Sequence, residues 1–307
     1  MSEMSKAEGS KPKHPYFEEE TSVDVVNARM GPDVDPRLRE VMSILVKHLH
    51  AAIKEIEPSH EEWLQGIKFL TEVGQMCSDW RQEFILLSDT LGVSMLVDSI
   101  NHRRPSGATE NTILGPFYVP AAPRYANGTN ICLDGKGEPM VVRGHVVDTD
   151  GKPIAGALVD VWQTNDDGFY DVQQKDVQPD WNLRGVFTSE SDGSYWYRAV
   201  KPRYYPIPDD GPVGKLLGHL GRHPNRAAHI HFIVSAPGYD PVITHIFTPD
   251  CQYLAEDSVF GVKDSLIADF EKVTDPARAY ELGFDGPFWS VDWDFVLATK
   301  KDTPKEK

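Results

Sequence analysis

The stretch VRGHVVDTDGKPIAGALVDVWQTNDDGFYD, residues 142–171, decides the fold prediction. Two valine-rich runs, 140–148 and 157–164, flank the dipeptide Asp150-Gly151. β-Branched and aromatic runs bounded by turn residues are typical of strands, and Asp-Gly favours a tight hairpin turn. We therefore predict two strands joined as a hairpin.

Three further segments after this stretch have the same character. GSYWYRAV (193–200), HIHFIVSA (229–236) and PVITHIFT (241–248) are each short, β-branched or aromatic, and bounded by turn residues. Several short strands with long decorated loops indicate a β-sandwich. A last helical piece is predicted from about Ser258 to Glu271.

Upstream of the sandwich, between Asp35 and Arg104, the pattern is helical. Asp35 followed by Pro36 predicts an N-cap with proline at the first helical position. Apolar residues then recur at alternating spacings of four and three, which indicates one apolar face of a helix. They are Leu38, Met42, Leu45, Leu49, Ala52 and Ile56. This stripe is expected to pack into an internal core, with a dimer interface as the alternative.

Two more helices are predicted in this half. Ser59 with Glu62 has the spacing of a capping box. The buried face of that helix would carry Trp63, Ile67, Leu70 and Val73. A third helical stretch is expected from about Asp79, through Phe84, Leu87 and Leu91.

The predicted fold class is therefore α+β, with an N-terminal helical domain followed by a mainly antiparallel β-sandwich. The expected boundaries are a flexible segment 1–34, a helical linker or dimerisation domain 35–105, the sandwich 106–299 and a flexible tail 300–307. At 307 residues with 40% hydrophobic and 25% charged side chains, the chain can bury a sizeable core and is not disordered as a whole.

The charge balance excludes some partners. With 31 basic and 47 acidic residues, the net charge of −16 disfavours nucleic acid and anionic membrane surfaces. We expect neither a membrane span nor a secretory signal, because the chain has no long apolar run. Three scattered cysteines, Cys77, Cys132 and Cys251, indicate a reducing, cytoplasmic compartment and a metal held, if at all, by nitrogen and oxygen.

Four features of the β half could carry chemistry. His229 and His231 lie two apart on a predicted strand, so both side chains point to one face and could chelate one metal ion. Tyr170, the pair Tyr204-Tyr205, and Arg226 accompany them. Each alone is ordinarily structural: a packed aromatic, or a surface ion pair. Together, two phenolates and two imidazoles form an N2O2 set that favours Fe(III).

With these motifs, the chain resembles the intradiol ring-cleaving dioxygenases. The segment 142–171, VKPRYYPIPDDGPVG (200–214) and RHPNRAAHIHF (222–232) carry the resemblance, which covers about residues 35–297. It implies a prealbumin-like catalytic sandwich and, in the helical half, the extra domain of the catechol and hydroxyquinol subgroup. It also implies a cytoplasmic homodimer that often holds a phospholipid.

The resemblance implies an Fe(III) centre with the ligands Tyr170, Tyr205, His229 and His231. Tyr205, rather than Tyr204, matches the family tyrosine that leaves the metal and accepts a substrate proton. Arg226 matches the arginine that stabilises negative charge on the ring. A diol would be cut with O2 between its two hydroxyl-bearing carbons.

The resemblance also implies a ring pocket. Its residues would be Leu86, Asp89, Ile113, Leu114, Gly115, Pro116, Phe117, Ile207, Pro208, Arg226, His245 and Val259. Plain core packing is the alternative for the apolar members. Asp89 lies among strong apolar residues, so it needs a partner or a raised pKa.

The expected substrate is hydroxyquinol, since Asp89 could accept a hydrogen bond from a third ring hydroxyl. The histidine at 245 also resembles the hydroxyquinol subgroup, whereas catechol enzymes carry glutamine there. Catechol is the runner-up, and protocatechuate is disfavoured. A different class stays open: a non-enzymatic, prealbumin-like binding module in which the tyrosines and histidines are structural.

Overall fold

A computed structural model describes residues 16–79 and 81–302 of the protein. The helical half begins with a helix that the sequence did not predict. Its helices are α1 Ser22–Asn27, α2 Pro36–Ile56, α3 His60–Met76, α4 Glu83–Thr90 and α5 Val93–Asn101. The chain divides into two compact units between Thr71 and Glu72.

Both predicted helix starts are confirmed. The Asp35 carboxylate accepts a hydrogen bond from the amide of Leu38 at 3.0 Å, and Pro36 is the first residue of α2. Before α3, the amide of Ser59 donates to the Glu62 carboxylate at 2.8 Å, and the amide of Glu62 donates to the Ser59 hydroxyl at 3.2 Å. These reciprocal bonds satisfy amides that a helix leaves unpaired at its start.

The expected internal packing of the first two helices is wrong. No residue of α2 is buried, and its apolar stripe is exposed. In α3 only Val73 is buried, whereas Trp63, Ile67 and Leu70 are exposed. Helical periodicity identifies the apolar face of a helix but not what covers that face.

Two other predictions in this half need correction. The third helical stretch forms as α4, which begins at Glu83 rather than near Asp79; Gly92, in a left-handed conformation (φ 74°), precedes a further helix, α5, that the sequence did not predict. The segment 1–34 contains α1, whose Ser22 hydroxyl lies 3.1 Å from His50 Nδ1 on α2. Residues 1–15 lie outside the described part of the chain, as do 303–307 of the predicted tail.

The β half contains the two sheets of a sandwich. Its strands are β1 Pro139–Asp148, β2 Leu158–Trp162, β3 Arg184–Thr188, β4 Ser194–Val200, β5 Tyr205–Pro206, β6 Asn225–Arg226, β7 His229–Ser235, β8 Val242–Phe247, β9 Glu271–Val273, β10 Phe288–Asp292 and β11 Phe295–Leu297. Two short helices, α6 Pro212–His219 and α7 Pro276–Glu281, lie among them. The predicted α+β class and all five predicted strands are confirmed.

One sheet has the order β3-β2-β7-β8 and is antiparallel throughout. The other has the order β11-β1-β10-β9 with β4 also on β1, and β1 runs parallel to β10 and β11. Val142, Val146 and Tyr197 of this sheet share one buried core with Val159 and Phe232 of the antiparallel sheet. The core therefore lies between the two sheets.

The predicted hairpin at Asp150-Gly151 is wrong as a strand pairing. The turn does form, since the amide of Gly151 donates to the Asp148 carbonyl at 2.9 Å. However, β1 pairs with β4 whereas β2 pairs with β3 and β7, so the chain crosses between sheets here. Because β1 and β2 belong to different sheets, their apolar side chains face each other across the core instead of lying next to each other in one sheet.

The predicted helix over 258–271 is also wrong. A single 3-10 turn, Asp264–Leu266, forms there, and the helix α7 begins later, with Asp275 as its N-cap.

Cys77, Cys132 and Cys251 are free thiols. Within residues 16–79 and 81–302, every helix is too short or too polar to cross a bilayer.

Candidate active site

A row of four side chains crosses the outer face of the antiparallel sheet. Arg184 on β3 lies opposite Trp162 on β2, Trp162 opposite His231 on β7, and His231 opposite His245 on β8. Strand alternation sends the intervening residues, such as Phe232, into the core, so His229 joins His231 on this outer face. Strand alternation along β7 therefore accounts for the predicted histidine pair.

The structure brings together the four predicted ligand residues. The Tyr170 hydroxyl lies 3.1 Å from the Tyr205 hydroxyl and 2.9 Å from His231 Nε2. His229 Nε2 lies 3.1 Å from His231 Nε2. All four side chains are buried, and Tyr204, the alternative to Tyr205, is exposed. Two phenol oxygens and two imidazole nitrogens thus converge on one small region.

Both histidines are held as neutral imidazoles. Burial, together with Arg226, lowers the pKa of His229 to about 3. Burial and the neighbouring imidazoles also lower the pKa of His231. His229 Nδ1 lies 2.6 Å from the carbonyl oxygen of Ala227, which can only accept, so Nδ1 carries the proton and the Nε2 lone pair faces the cluster. Neutral imidazole is the form that binds a metal.

His245 adds a third imidazole to the cluster. Its ring lies 4.1 Å from that of His231 and 4.7 Å from that of His229, centroid to centroid. One nitrogen from each ring lies within 4.8 Å of the others, close enough for a single ion. This donor set of nitrogen and oxygen fits a metal centre.

An ion pair between Arg184 and Asp171, the residue after Tyr170, holds the backbone next to this tyrosine. Arg184 Nε donates to the Asp171 carboxylate at 2.6 Å, and the amide of Trp181 donates to the same carboxylate at 3.1 Å. Burial, with Tyr205, raises the pKa of Tyr170 well above its usual value of 10.0, while Arg226 and Arg184 act in the opposite direction. A bound cation would therefore be needed to ionise this phenol near neutral pH.

Phe117 and Gly115 pack closely against two members of the cluster. The ring of Phe117 stacks on that of Tyr170 with centroids 4.7 Å apart. Gly115 has φ +77°, and a Cβ added there would lie 3.1 Å from His231 Cε1. Glycine is thus required both by the backbone conformation and by the approach of the imidazole.

Several predicted pocket residues meet in two apolar clusters. Ile207 and Val259 are buried together, with Leu86 and Ile113 packed against them. Leu114 and Phe117 pack against the cluster of Trp162, Tyr170 and Tyr205. Pro116 and Pro208 are exposed. These placements agree with a ring pocket, although plain packing would also produce them.

Asp89 lies half-buried on α4. Burial raises the pKa of its carboxyl, while a hydrogen bond from Ser94 and the charge of Arg226 lower it. The sequence predicts a partner or a raised pKa for Asp89, and the pKa of its carboxyl is raised.

Arg226 is the buried cation of the site. Its Nη1 lies 3.4 Å from His229 Nε2, and its Nε lies 3.4 Å from the Asp257 carboxylate. Nη2 is buried and makes no hydrogen bond with any described residue.

Sequence reasoning missed Asp257, Arg184 and Trp162, because nothing in their local sequence separates them from ordinary strand and turn residues.

Comparison with known proteins agrees with this geometry. Residues 113–299 match the family described as "Dioxygenase", and residues 35–109 match "Catechol dioxygenase N terminus". The chain belongs to the intradiol dioxygenase family. The two matched ranges meet near the predicted domain boundary at residue 105, whereas the compact units divide after Thr71. The domain boundaries stay a prediction.

Relatives in the intradiol dioxygenase family span nearly the whole chain. Hydroxyquinol 1,2-dioxygenase of Rhizobium sp. strain MTP-10005 is 64% identical over 92% of this chain and 96% of its own. The structure of hydroxyquinol 1,2-dioxygenase from Pseudomonas putida DLL-E4 matches with a TM-score of 0.88 at 44% identity, covering 92% of this chain and 99% of its own. Catechol 1,2-dioxygenase from Acinetobacter radioresistens matches at 0.80 and 30%, covering 96% and 97%.

Membership of the intradiol dioxygenase family makes the chain an enzyme and a dioxygenase. The alternative of a non-enzymatic binding module is therefore dropped. The sandwich fold that this alternative shared with the enzymes is confirmed, so fold alone could not separate the two.

Proposed function

We propose that the protein cleaves hydroxyquinol (benzene-1,2,4-triol) with O2 between its two adjacent hydroxyl-bearing carbons, using Fe(III). The product would be 3-hydroxy-cis,cis-muconate, the tautomer of maleylacetate, in the breakdown of aromatic compounds. The observation that carries the proposal is the convergence of two tyrosine hydroxyls and two imidazole nitrogens beside a buried guanidinium.

Tyr170, Tyr205, His229 and His231 would hold the iron. Fe(III) supplies Lewis acidity toward a chelated diol and the electronic coupling that lets the ring react with O2. Tyrosinate bound to Fe(III) absorbs broadly in the visible range, so the purified protein should be wine-red and contain iron. A colourless, iron-free protein that stays inactive after Fe(III) is added would contradict this assignment.

Tyr205 and Arg226 would handle protons and charge. The two residues face each other across the short β5-β6 pair. Tyr205 would be held as a tyrosinate by the iron, and its Oη would accept a proton from a substrate hydroxyl when the diol binds. The free Nη2 donor of Arg226 stabilises the negative charge that builds on the ring, which a buried cation does strongly in a water-poor site.

Asp89 supports hydroxyquinol over catechol. Its carboxyl would accept a hydrogen bond from the third ring hydroxyl, while Leu86, Ile113, Ile207 and Val259 would enclose the flat ring. The 64% identity with an enzyme named for hydroxyquinol points the same way. His245, Gly115, Leu114, Pro116, Phe117 and Pro208 are proposed to complete the pocket. Oxygen uptake with hydroxyquinol and catechol side by side tests this choice, because higher kcat/KM for catechol would reverse it.

We also propose a homodimer formed through the helical half, with a phospholipid bound at its apolar interface. The exposed stripe on α2 supports this, since exposed apolar patches of this kind mark association surfaces. Leu45→Glu should convert the sedimenting species from two chains to one, whereas Lys47→Gln should not. Unchanged sedimentation of Leu45→Glu would contradict this interface. The net charge of −16 further supports an enzyme without nucleic-acid partners, and the three scattered cysteines support a cytoplasmic location.

A further inference from the structure

Asp257 is a buried carboxylate outside the predicted site, and each of its oxygens is used. Oδ1 accepts a hydrogen bond from the amide of Ala227 at 2.9 Å and faces Arg226 Nε at 3.4 Å. Oδ2 accepts from the amide of Gly261 at 2.7 Å. The side chain is 2% exposed. One carboxylate therefore joins β6 to the turn that follows residue 257.

These contacts reach the cluster through two routes. Asp257 occupies Nε of Arg226, which leaves Nη1 beside His229 Nε2 and Nη2 without a partner among the described residues. Asp257 also holds the amide of Ala227, the residue whose carbonyl oxygen lies 2.6 Å from His229 Nδ1. The direction of the guanidinium is thus set by a group that lies on the side away from the imidazoles.

The turn after Asp257 lies close to the guanidinium of Arg226. A Cβ added to Gly261 would lie 2.8 Å from Arg226 Nη2 and 3.2 Å from Asp257 Oδ2. Phe260 adopts φ 59°, which is costly for a residue with a side chain, and its amide donates to the Asp257 carbonyl at 3.0 Å. This turn also carries Val259, a proposed wall of the ring pocket.

The charges agree with this arrangement. Burial alone would lower the pKa of Arg226, but Asp257 and the tyrosine hydroxyls raise it overall, so the guanidinium stays charged. Burial would likewise raise the pKa of Asp257, but Arg226 and two backbone amides lower it overall. A buried charge without such a partner is strongly unfavourable.

We propose that Asp257, with the close approach of Gly261, is a positioning residue that aims the free Nη2 of Arg226 at the substrate ring. This inference rests on the proposed function, in which Arg226 stabilises charge on the ring. Asp257 touches neither the proposed ligands' donor atoms nor the proposed ring position. Its effect should therefore appear in kcat through Arg226, and not in iron content.

A double-mutant cycle with Arg226→Met tests the proposal. Asp257→Asn should lower kcat for hydroxyquinol about 10- to 100-fold, as supporting residues of metal sites do, with KM changed far less. In the Arg226→Met background the same change should cost less than about 3-fold, because the residue it acts through is already gone. Iron content and the visible band should be retained in every variant.

A second variant keeps both charges and crowds the guanidinium directly. Gly261→Ala should lower kcat while the protein remains folded and iron-loaded, since the added methyl would meet Nη2. Gly218→Ala on α6 is the matched control, because a Cβ there meets nothing within 4 Å. This variant decides the matter if Asp257→Asn does not fold.

Two results would overturn the positioning role. One is kcat within about 2-fold of wild type for both Asp257→Asn and Gly261→Ala. The other is an equal fold-loss from Asp257→Asn with and without Arg226, which would make Asp257 merely structural. Active wild-type enzyme with either result refutes this inference alone, whereas wild type that cleaves no diol refutes the proposed function as well.

Discussion

The indole ring of Trp162 lies flat against the imidazole of His231, with centroids 4.6 Å apart and an interplanar angle of 10°. The two residues are direct partners on adjacent strands, so the stacking follows from the sheet register. The ring of Tyr118 packs on that of Trp162, with centroids 4.9 Å apart. An aromatic wall of this kind fixes the imidazole plane and keeps water from the cluster.

The first prediction concerns the metal. His229→Ala should lower iron affinity by at least about tenfold and remove most of the visible colour, because one converging nitrogen is lost. The sandwich should stay folded, since the ring lies outside the core between the sheets. His219→Ala, an exposed histidine at the end of α6, is the control and should keep its iron. Full iron occupancy in His229→Ala would show that the ion lies elsewhere.

The second prediction separates two adjacent tyrosines. Tyr205 is buried and its hydroxyl meets that of Tyr170, whereas Tyr204 is exposed and packs on Tyr253. Tyr205→Phe should keep some iron, shift the visible spectrum and lose about 10²- to 10⁴-fold in kcat, since a proton acceptor is removed. Tyr204→Phe should stay within about twofold of wild type. The reverse pattern would assign the role to Tyr204.

The third prediction concerns substrate choice. A site that hydrogen-bonds a substrate hydroxyl discriminates against analogues that lack it, because its own polar group is then left unpaired. Asp89→Ala should lower the hydroxyquinol-to-catechol ratio of kcat/KM by roughly ten- to a hundredfold, the worth of one hydrogen bond to a charged acceptor. Asp79→Ala, an exposed acid, is the control. An unchanged ratio in a folded Asp89→Ala protein would make Asp89 structural and catechol the leading substrate.

The fourth prediction concerns pH and stability. Burial raises the pKa of Asp160 from 3.8 to about 6, while the Tyr118 hydroxyl, 3.2 Å away, and Arg184 lower it. The folded state thus favours the protonated carboxyl, and this contribution is lost as pH rises from about 4 through about 6. Partial exposure reduces the effect to about 1–2 kcal/mol of unfolding free energy.

Asp160→Asn cannot ionise and should therefore melt at a higher temperature than wild type at about pH 7.5, with no difference near pH 4. Asp209 is an exposed acid, so Asp209→Asn should leave the melting temperature unchanged at both pH values. A gain for Asp160→Asn that is equal at both pH values would mean that packing, and not ionisation, is responsible.

Much of the site could be predicted, but from different sources. The shared face of His229 and His231 followed from strand alternation alone. Tyr170 and Tyr205 are far from them in sequence, so only the family resemblance could place all four together. Asp257 lies 31 residues from Arg226 and belongs to a turn, and no local pattern reports such a pairing.

Two errors in the fold prediction share one physical cause. The turn at Asp150-Gly151 and the apolar stripe of α2 were both correctly recognised as local features. What a strand pairs with, and what covers a helix face, depends on tertiary and quaternary contacts that local chemistry does not specify.

The most direct test of the whole account is the product of hydroxyquinol cleavage under 18O2. Iron-loaded enzyme should consume one O2 per hydroxyquinol and release 3-hydroxy-cis,cis-muconate or maleylacetate, cut between the two hydroxyl-bearing carbons, with label in the newly formed carboxyl groups. The absence of O2 uptake with both hydroxyquinol and catechol, or a product cut outside the two hydroxyl-bearing carbons, would contradict the account.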